Sequence, residues 1–309
     1  VTDLSPKNAR KGECSEQFPS VCPKVLCVIF AAGLNQKTMK LKSVIAALST
    51  SALLCGSVFA QSKIVIKGSD TLGAKMVPQL TAVYKAIGNS VDFEIAAEGS
   101  STAFTALLEG TADVGMSSRD VKAGERDSFT AKGKEIVEHV AGIDMIAIVV
   151  NEGNSVDNLT LKQIEGIFTG EITDWSEVGG KAGKISAYTR NTSSGTYKTF
   201  QELAMNKRDY GSSTQKMAGN EAIASEVGKN PNGIGYVGLA YTENDGLKAV
   251  NVDKHSLEEP DAYPLARQLY YYTVGEPEGE VANFLEWATT SEPAQKVITK
   301  VGFIPAKKK

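Results

Sequence analysis

Three times in this chain a short apolar stretch ends in glycine, serine and threonine, and a helical pattern begins at once. The turns are Gly68-Ser69-Asp70-Thr71, Gly99-Ser100-Ser101-Thr102 and Ser193-Ser194-Gly195-Thr196. Repeated strand–turn–helix units predict an α/β fold whose strands are mainly parallel. Lys63–Lys67 reads as the strand before the first turn, and Leu72, Met76, Leu80, Val83 and Ile87 then recur near a 3.6-residue period. Val91–Ala97 alternates as a strand before the second turn, followed by a helix carrying Phe104, Leu107 and Leu108. Asp113–Met116 is a short strand, and Ile143–Val150 is a nearly continuous apolar run that predicts a buried parallel strand. Strands at Ile185–Thr189, Gly233–Val237, Lys248–Val252 and Gln268–Thr273 follow, with helices at Leu161–Phe168, Tyr197–Met205, Glu278–Thr289 and Pro293–Val301.

The 309 residues permit one large domain or two ordinary ones, and 42% hydrophobic with 22% charged residues is a globular balance. With 33 basic against 36 acidic residues, the chain has no general positive field for nucleic acid. His139 and His255 are the two histidines, far apart in sequence, which excludes a histidine-rich metal site. All four cysteines (Cys14, Cys22, Cys27 and Cys55) precede residue 61. The remaining 249 residues (309 − 60) therefore have no disulfide, no thiol nucleophile and no thiolate-bound metal.

From Met39 the chain reads MKLKSVIAALSTSALLCGSVFAQS. Lys40 and Lys42 form a basic region, Ser43–Cys55 is mostly apolar, and Val58 and Ala60 are small residues at −3 and −1 before Gln61. This pattern predicts a secretory signal peptide over 39–60, cleaved after Ala60. The apolar run is shorter than the ~20 residues needed to span a bilayer. Cys55 is preceded by Leu54 rather than a small residue, which argues against lipidation. Residues 1–38, which precede a plausible initiator methionine, are expected to be a non-native upstream extension. Without residues 1–60 the chain carries 26 basic and 33 acidic residues (33 − 7 and 36 − 3), a net −7.

The chemistry concentrates at the three turns and at Arg190. A helix start presents unpaired backbone N–H groups and partial positive charge; serine and threonine add hydroxyls, and glycine permits close approach. Arg190, four residues before Ser194, can fork two donors onto a tetrahedral anion. Each turn alone is also an ordinary capping sequence. Enzyme motifs are mostly missing: there is no G-x-S-x-G and no H-E-x-x-H. Gly179–Lys184 (GGKAGK) has the wrong glycine spacing for a phosphate loop, and Ile185 stands where Ser or Thr belongs. Ser213–Lys216 matches S-x-x-K without its companion motifs. Tyr270–Tyr272 offer either an aromatic face or alternating packing in a strand, and packing is the simpler reading.

Taken together, KGSDTL, EGSSTAF, ADVGMSSR, IDMIAIVVN, IFTGEITDW, RNTSSGT, PNGIGYVGLAY, YPLARQLYYYT and the final VGFIP span Gln61 to the end of the chain. In order and spacing they resemble the periplasmic phosphate-binding proteins of ABC transporters, the PstS-like family in its shorter form. The resemblance implies a two-lobed, hinged periplasmic-binding-protein fold of type II. Each lobe would be a mixed, mainly parallel sheet flanked by helices, with the ligand in the cleft. It divides the chain into lobe I, 61–147 and 253–309, and lobe II, 148–252. It places Ser69, Thr71, Leu72 and Ser100 on one side of the phosphate and Arg190, Ser194, Gly195 and Thr196 on the other. It implies an exported or periplasmic monomer that hands inorganic phosphate to an ABC permease, with no catalysis, no cofactor and no metal.

Two positions depart from the family pattern. Where longer members place an aspartate that accepts the ligand's proton, this chain has Ser118 followed by Arg119. Asp144 is the preferred replacement, because a carboxylate inside an apolar strand needs a partner; Asp70 is the second candidate. Arg119 is expected either to pair with Asp144 or to bind the anion itself. Thr192 stands where an acidic residue often orients the arginine, so Arg190 must be held by something else. The competing readings are a receptor for sulfate, molybdate or another oxyanion, and an exported phosphatase or other hydrolase using Ser100 or Ser194.

Overall fold

The computed structural model describes residues 62–306. The expected signal peptide with its expected cleavage site, the expected upstream extension and all four cysteines lie outside the described residues. Ten strands run in chain order: β1 (Ser62–Gly68), β2 (Val91–Ala97), β3 (Val114–Ser117), β4 (Ile136–Asn151), β5 (Asn158–Leu159), β6 (Ser186–Arg190), β7 (Gln215–Met217), β8 (Gly233–Gly238), β9 (Leu247–Val252) and β10 (Ala266–Val274). Nine α-helices accompany them among the described residues: α1 (Asp70–Gly73), α2 (Met76–Ala86), α3 (Ser100–Glu109), α4 (Ala123–Ala131), α5 (Leu161–Thr169), α6 (Gly195–Leu203), α7 (Asn220–Lys229), α8 (Gly279–Thr290) and α9 (Glu292–Val301).

The strands pair in the order β2-β1-β3-β10-β4-β8-β6-β7, with β9 against β4 and β5. The sheet is mixed. β1 is parallel to β2 and β3, and β6 is parallel to β7 and β8, whereas β10 and β4 run antiparallel to their neighbours. This corrects the reading of Ile143–Val150 as a parallel strand. A continuous apolar run reports burial on both faces, and β4 satisfies that condition in antiparallel company.

β4 joins two halves of the sheet. Its residues 136–145 pair with β10, and from Ile146 onward its partners are β8 and β9. The chain returns near the same level, where Ile146 N donates to Leu265 O and the Tyr263 hydroxyl donates to Ile146 O. Two apolar clusters lie on either side of this crossing. Ile64, Ile66, Leu80, Leu269, Phe284 and Ile298 belong to one, and Ile148, Phe168, Trp175, Phe200, Tyr236 and Val250 to the other. Tyr271 and Tyr272 are fully buried, so the tyrosine run of β10 serves packing.

Local chemistry accounts for most element ends. α5 opens with Thr160, whose hydroxyl accepts from Gln163 N, and Gln163 reaches back to the Thr160 amide. α9 begins with the Ser291 cap and Pro293 in its first turn. The helix expected to run from Leu72 to Ile87 is broken at Ala74-Lys75, which separates α1 from α2. The apolar period continues through the break, so periodicity alone could not locate it. α4, α7, β5 and β7 were not read from the sequence: α4 buries Phe129 alone, β5 and β7 are two and three residues long, and the apolar face of α7 is only Ile223, Ala224 and Val227.

Gly68 closes β1 at φ +134, and a Cβ there would lie 2.2 Å from Met116 O and 2.7 Å from Ala103 Cβ. Replacing Gly68 by alanine forces both a left-handed backbone and an overlap with β3. The expected destabilisation is about 2–5 kcal/mol, read as a lower urea midpoint at unchanged slope.

Candidate functional site

The expected turns converge. β1, β3 and β6 each end at one crevice, and the starts of α1, α3 and α6 face it together with Ser118. Parallel strands carry their ligand sites outside their carboxyl ends, where the connections diverge, and this crevice has that position. The hydroxyls form a chain: Thr71 Oγ1 lies 3.0 Å from Thr196 Oγ1, Thr196 Oγ1 lies 3.5 Å from Ser118 Oγ, and Ser118 Oγ lies 3.2 Å from Ser100 Oγ. Ser100 Oγ also accepts from Ser118 N at 3.0 Å. All four side chains are buried. Backbone contacts clamp the same region, with Ser101 N donating to Ser193 O at 3.1 Å and Ser193 Oγ to Glu98 O at 3.3 Å.

Arg190 is the last residue of β6 and is 1% exposed. Its Nη2 meets Asp70 Oδ2 at 3.2 Å and Ala218 O at 3.4 Å. Its Nε and Nη1 are buried without a hydrogen-bond partner among the described residues. A guanidinium is charged at any accessible pH, so burying two unpartnered N–H groups beside a set of hydroxyls carries a clear electrostatic cost. A tetrahedral anion would relieve it, accepting from the fork, from the hydroxyls and from the first-turn N–H groups of Thr71, Leu72, Gly195 and Thr196, which have no intrahelical acceptor. The Leu72 side chain itself packs in the core. Ser194 caps α6, its Oγ accepting from Tyr197 N at 3.3 Å. Ser69 is buried at the start of α1 with its N–H on Met116 O.

Three expectations change. Asp144 does not stand alone. Its Oδ2 accepts from Arg267 Nη2 at 2.7 Å and Nε at 3.2 Å, and its Oδ1 accepts from Leu239 N at 2.9 Å. Burial pushes its carboxyl up, and Arg267 opposes that rise. The partner is thus Arg267, opposite Asp144 in the β4–β10 register, and not Arg119. Arg119 turns to α4 instead, where its Nη1 and Nη2 meet the Glu125 carboxylate at 2.8 and 2.6 Å, and it lies over the Phe104 ring. Asp70 is what holds Arg190 in the absence of an acid at Thr192. Its Oδ2 also accepts from Asn220 N at 3.1 Å and Asn220 Nδ2 at 2.7 Å.

Sequence reasoning missed Arg267 and Asn220. A charge in an apolar strand needs a partner, and that holds for Arg267 in ARQLYYYT as it does for Asp144. Asn220 opens a helix whose apolar face is short, Ile223, Ala224 and Val227. The GGKAGK stretch is a mostly exposed loop, where Gly183 N donates to Asp174 Oδ2. Among the described residues no three metal-ligating side chains come together, and no helix is long and apolar enough to cross a membrane.

Residues 56–292 match the model of the PBP superfamily domain. Over 265 residues the chain is 32% identical to the phosphate-binding protein PstS of Pseudomonas aeruginosa, covering 77% of this chain and 81% of that one. The chain belongs to the PstS family of phosphate-binding proteins. A further PstS, from Bacillus subtilis, is 29% identical over 218 residues, covering 69% of this chain and 71% of that one. Among solved PstS-like structures, a candidate phosphate ABC transporter substrate-binding protein with bound phosphate from Clostridium perfringens superposes with a TM-score of 0.73. It is 30% identical and covers 80% of this chain and 100% of that one. An ABC-type phosphate transport receptor from Vibrio cholerae gives 0.64 at 27% identity, covering 79% and 100%. The family's fold class is therefore the one read from the turns, and within it this chain builds its crevice from hydroxyls and one arginine with two unpartnered N–H groups.

Proposed function

We propose that this chain is an exported receptor that captures inorganic phosphate between two lobes and delivers it to an ABC permease, without covalent chemistry. The observation that carries the reading is the buried Arg190 guanidinium, with two unpartnered N–H groups, at the edge of four convergent hydroxyls. The names of the relatives and of the Clostridium perfringens structure agree with phosphate as the ligand. The lobes are those expected above, 61–147 with 253–309 and 148–252, except at the second boundary. The packing of Tyr263 and Leu265 with Val250 and Val252 favours drawing the second crossing at Leu265–Ala266. Asp70 orients Arg190, and Asp144 anchors Arg267, so neither carboxylate is assigned a direct bond to the anion.

A hydrolase reading lacks support in the geometry. The hydrogen-bond partners of Ser100 Oγ are Ser118 N and Ser118 Oγ, and Ser194 Oγ caps a helix. His139 bonds Thr273, and neither serine has a base beside it among the described residues. Calorimetric titration with phosphate, sulfate, molybdate and arsenate at two pH values tests the assignment. Tight phosphate binding is expected, with no turnover of a phosphate ester; preference for another oxyanion, or turnover, would replace it. The export reading predicts that secreted protein begins at Gln61, which N-terminal sequencing checks. Recovered protein retaining residues 1–38 would overturn the cleavage assignment.

A further inference from the structure

The pair Asp144–Arg267 sits where β4 changes partners, and it touches both flanks of the crevice. On one flank Arg267 Nη1 donates to Ser118 O at 3.1 Å, and the same carbonyl accepts from Thr199 Oγ1 of α6 at 3.2 Å. With its carbonyl held there and its N–H on Ser100 Oγ, the Ser118 peptide is fixed on both sides and its hydroxyl is left in the cluster. On the other flank Asp144 Oδ1 accepts from Leu239 N. The preceding residue, Gly238, donates its N–H to Asn220 Oδ1 at 3.0 Å; Asn220 holds Asp70, and Asp70 holds Arg190. A path of hydrogen bonds, with the covalent step from Leu239 to Gly238 and the Asp70–Arg190 ion pair, thus runs Ser118–Arg267–Asp144–Leu239/Gly238–Asn220–Asp70–Arg190. A groove of about 440 Å³ reaches this path from solvent, lined in part by Ser118, Arg119, Thr199, Leu203 and Arg267. Asp144, fully buried, is not among its lining residues, so Arg267 separates the groove from the carboxylate.

We propose that Asp144 and Arg267 are positioning residues for anion retention: they hold the Ser118 and Arg190 flanks in the closed arrangement and keep groove water out of it. The inference rests on the phosphate reading above. Its physical basis is that charge-assisted hydrogen bonds shielded from water are strong and directional, so a network satisfied in one arrangement favours that arrangement over an open one. Holding a closed form lengthens the bound lifetime and leaves encounter with the open form little changed. A pair that merely stabilised the fold would not separate those two rates.

The test measures association and dissociation of inorganic phosphate by stopped flow, for the unchanged chain, for Arg267→Gln and for the double variant Asp144→Asn/Arg267→Gln. The double variant removes the buried charge that the single one leaves unpaired. Both variants are expected to release phosphate ~10- to 100-fold faster, with association within ~3-fold of the unchanged chain. If Arg267→Gln does not fold, the double variant decides alone. Dissociation restored to the unchanged rate in the double variant, or association slowed by as large a factor as dissociation is accelerated, would overturn the proposal. If the unchanged chain binds no phosphate, the phosphate reading fails and takes this inference with it. If it binds and the double variant releases at the same rate, this inference alone fails.

Discussion

Arg190→Ala is expected to weaken phosphate binding by a factor of ~10³, the loss of two or more charge-assisted hydrogen bonds at ~1.5–3 kcal/mol each. The side chain is 1% exposed and brings two unpartnered N–H groups to the hydroxyl cluster. The substitution also strips Asp70 of its cation at 3.2 Å, leaving that carboxylate on Asn220 alone. Arg190→Lys should recover only part of the affinity, because one ammonium cannot reach Asp70 and fork onto an anion together. Calorimetry of both variants reads the effect. Affinity equal to the unchanged chain in Arg190→Ala would remove the central group of the proposed site.

Gly195→Ala should cost ~10- to 100-fold in phosphate affinity, for a steric reason rather than an electrostatic one. A Cβ at this first residue of α6 would lie 2.3 Å from Ser100 Oγ, 2.9 Å from Ser100 Cβ and 2.7 Å from Ser118 Oγ. Ser100 Oγ can rotate away, but its Cβ cannot. The two helix starts must therefore separate, and overpacking of this kind costs the closed arrangement, in which they meet, ~1–3 kcal/mol. Alanine is at least as good as glycine within a helix, so α6 itself is not weakened. The expected signature is a melting temperature without phosphate close to that of the unchanged chain, together with a reduced upward shift when phosphate is added. Full retention of affinity would mean that α3 and α6 do not approach this closely around the bound anion.

The sequence by itself determined the α/β class, eight of the ten strands and the three turns and Arg190 that the structure brings together. Those are local properties: a glycine–serine turn after an apolar stretch states where a strand ends and a helix begins, whatever lies elsewhere. Ser100, Thr71, Thr196 and Arg190 were legible for that reason, and the structure brings them to one place. Pairing was not legible. β4 is apolar because it is buried on both faces, and burial is blind to strand direction, so its antiparallel register appeared only with β8, β9 and β10 in place. The partners of the charges were equally hidden. Asp144 meets Arg267, 123 residues away, and Asp70 meets Arg190 and Asn220, the latter 150 residues away. Arg119, adjacent to Ser118, was the nearer candidate for Asp144 and instead turned to Glu125, six residues along its own chain. A buried charge requires a counter-charge, and sequence states that requirement; only the tertiary structure, by closing loops of more than a hundred residues, decides which residue meets it.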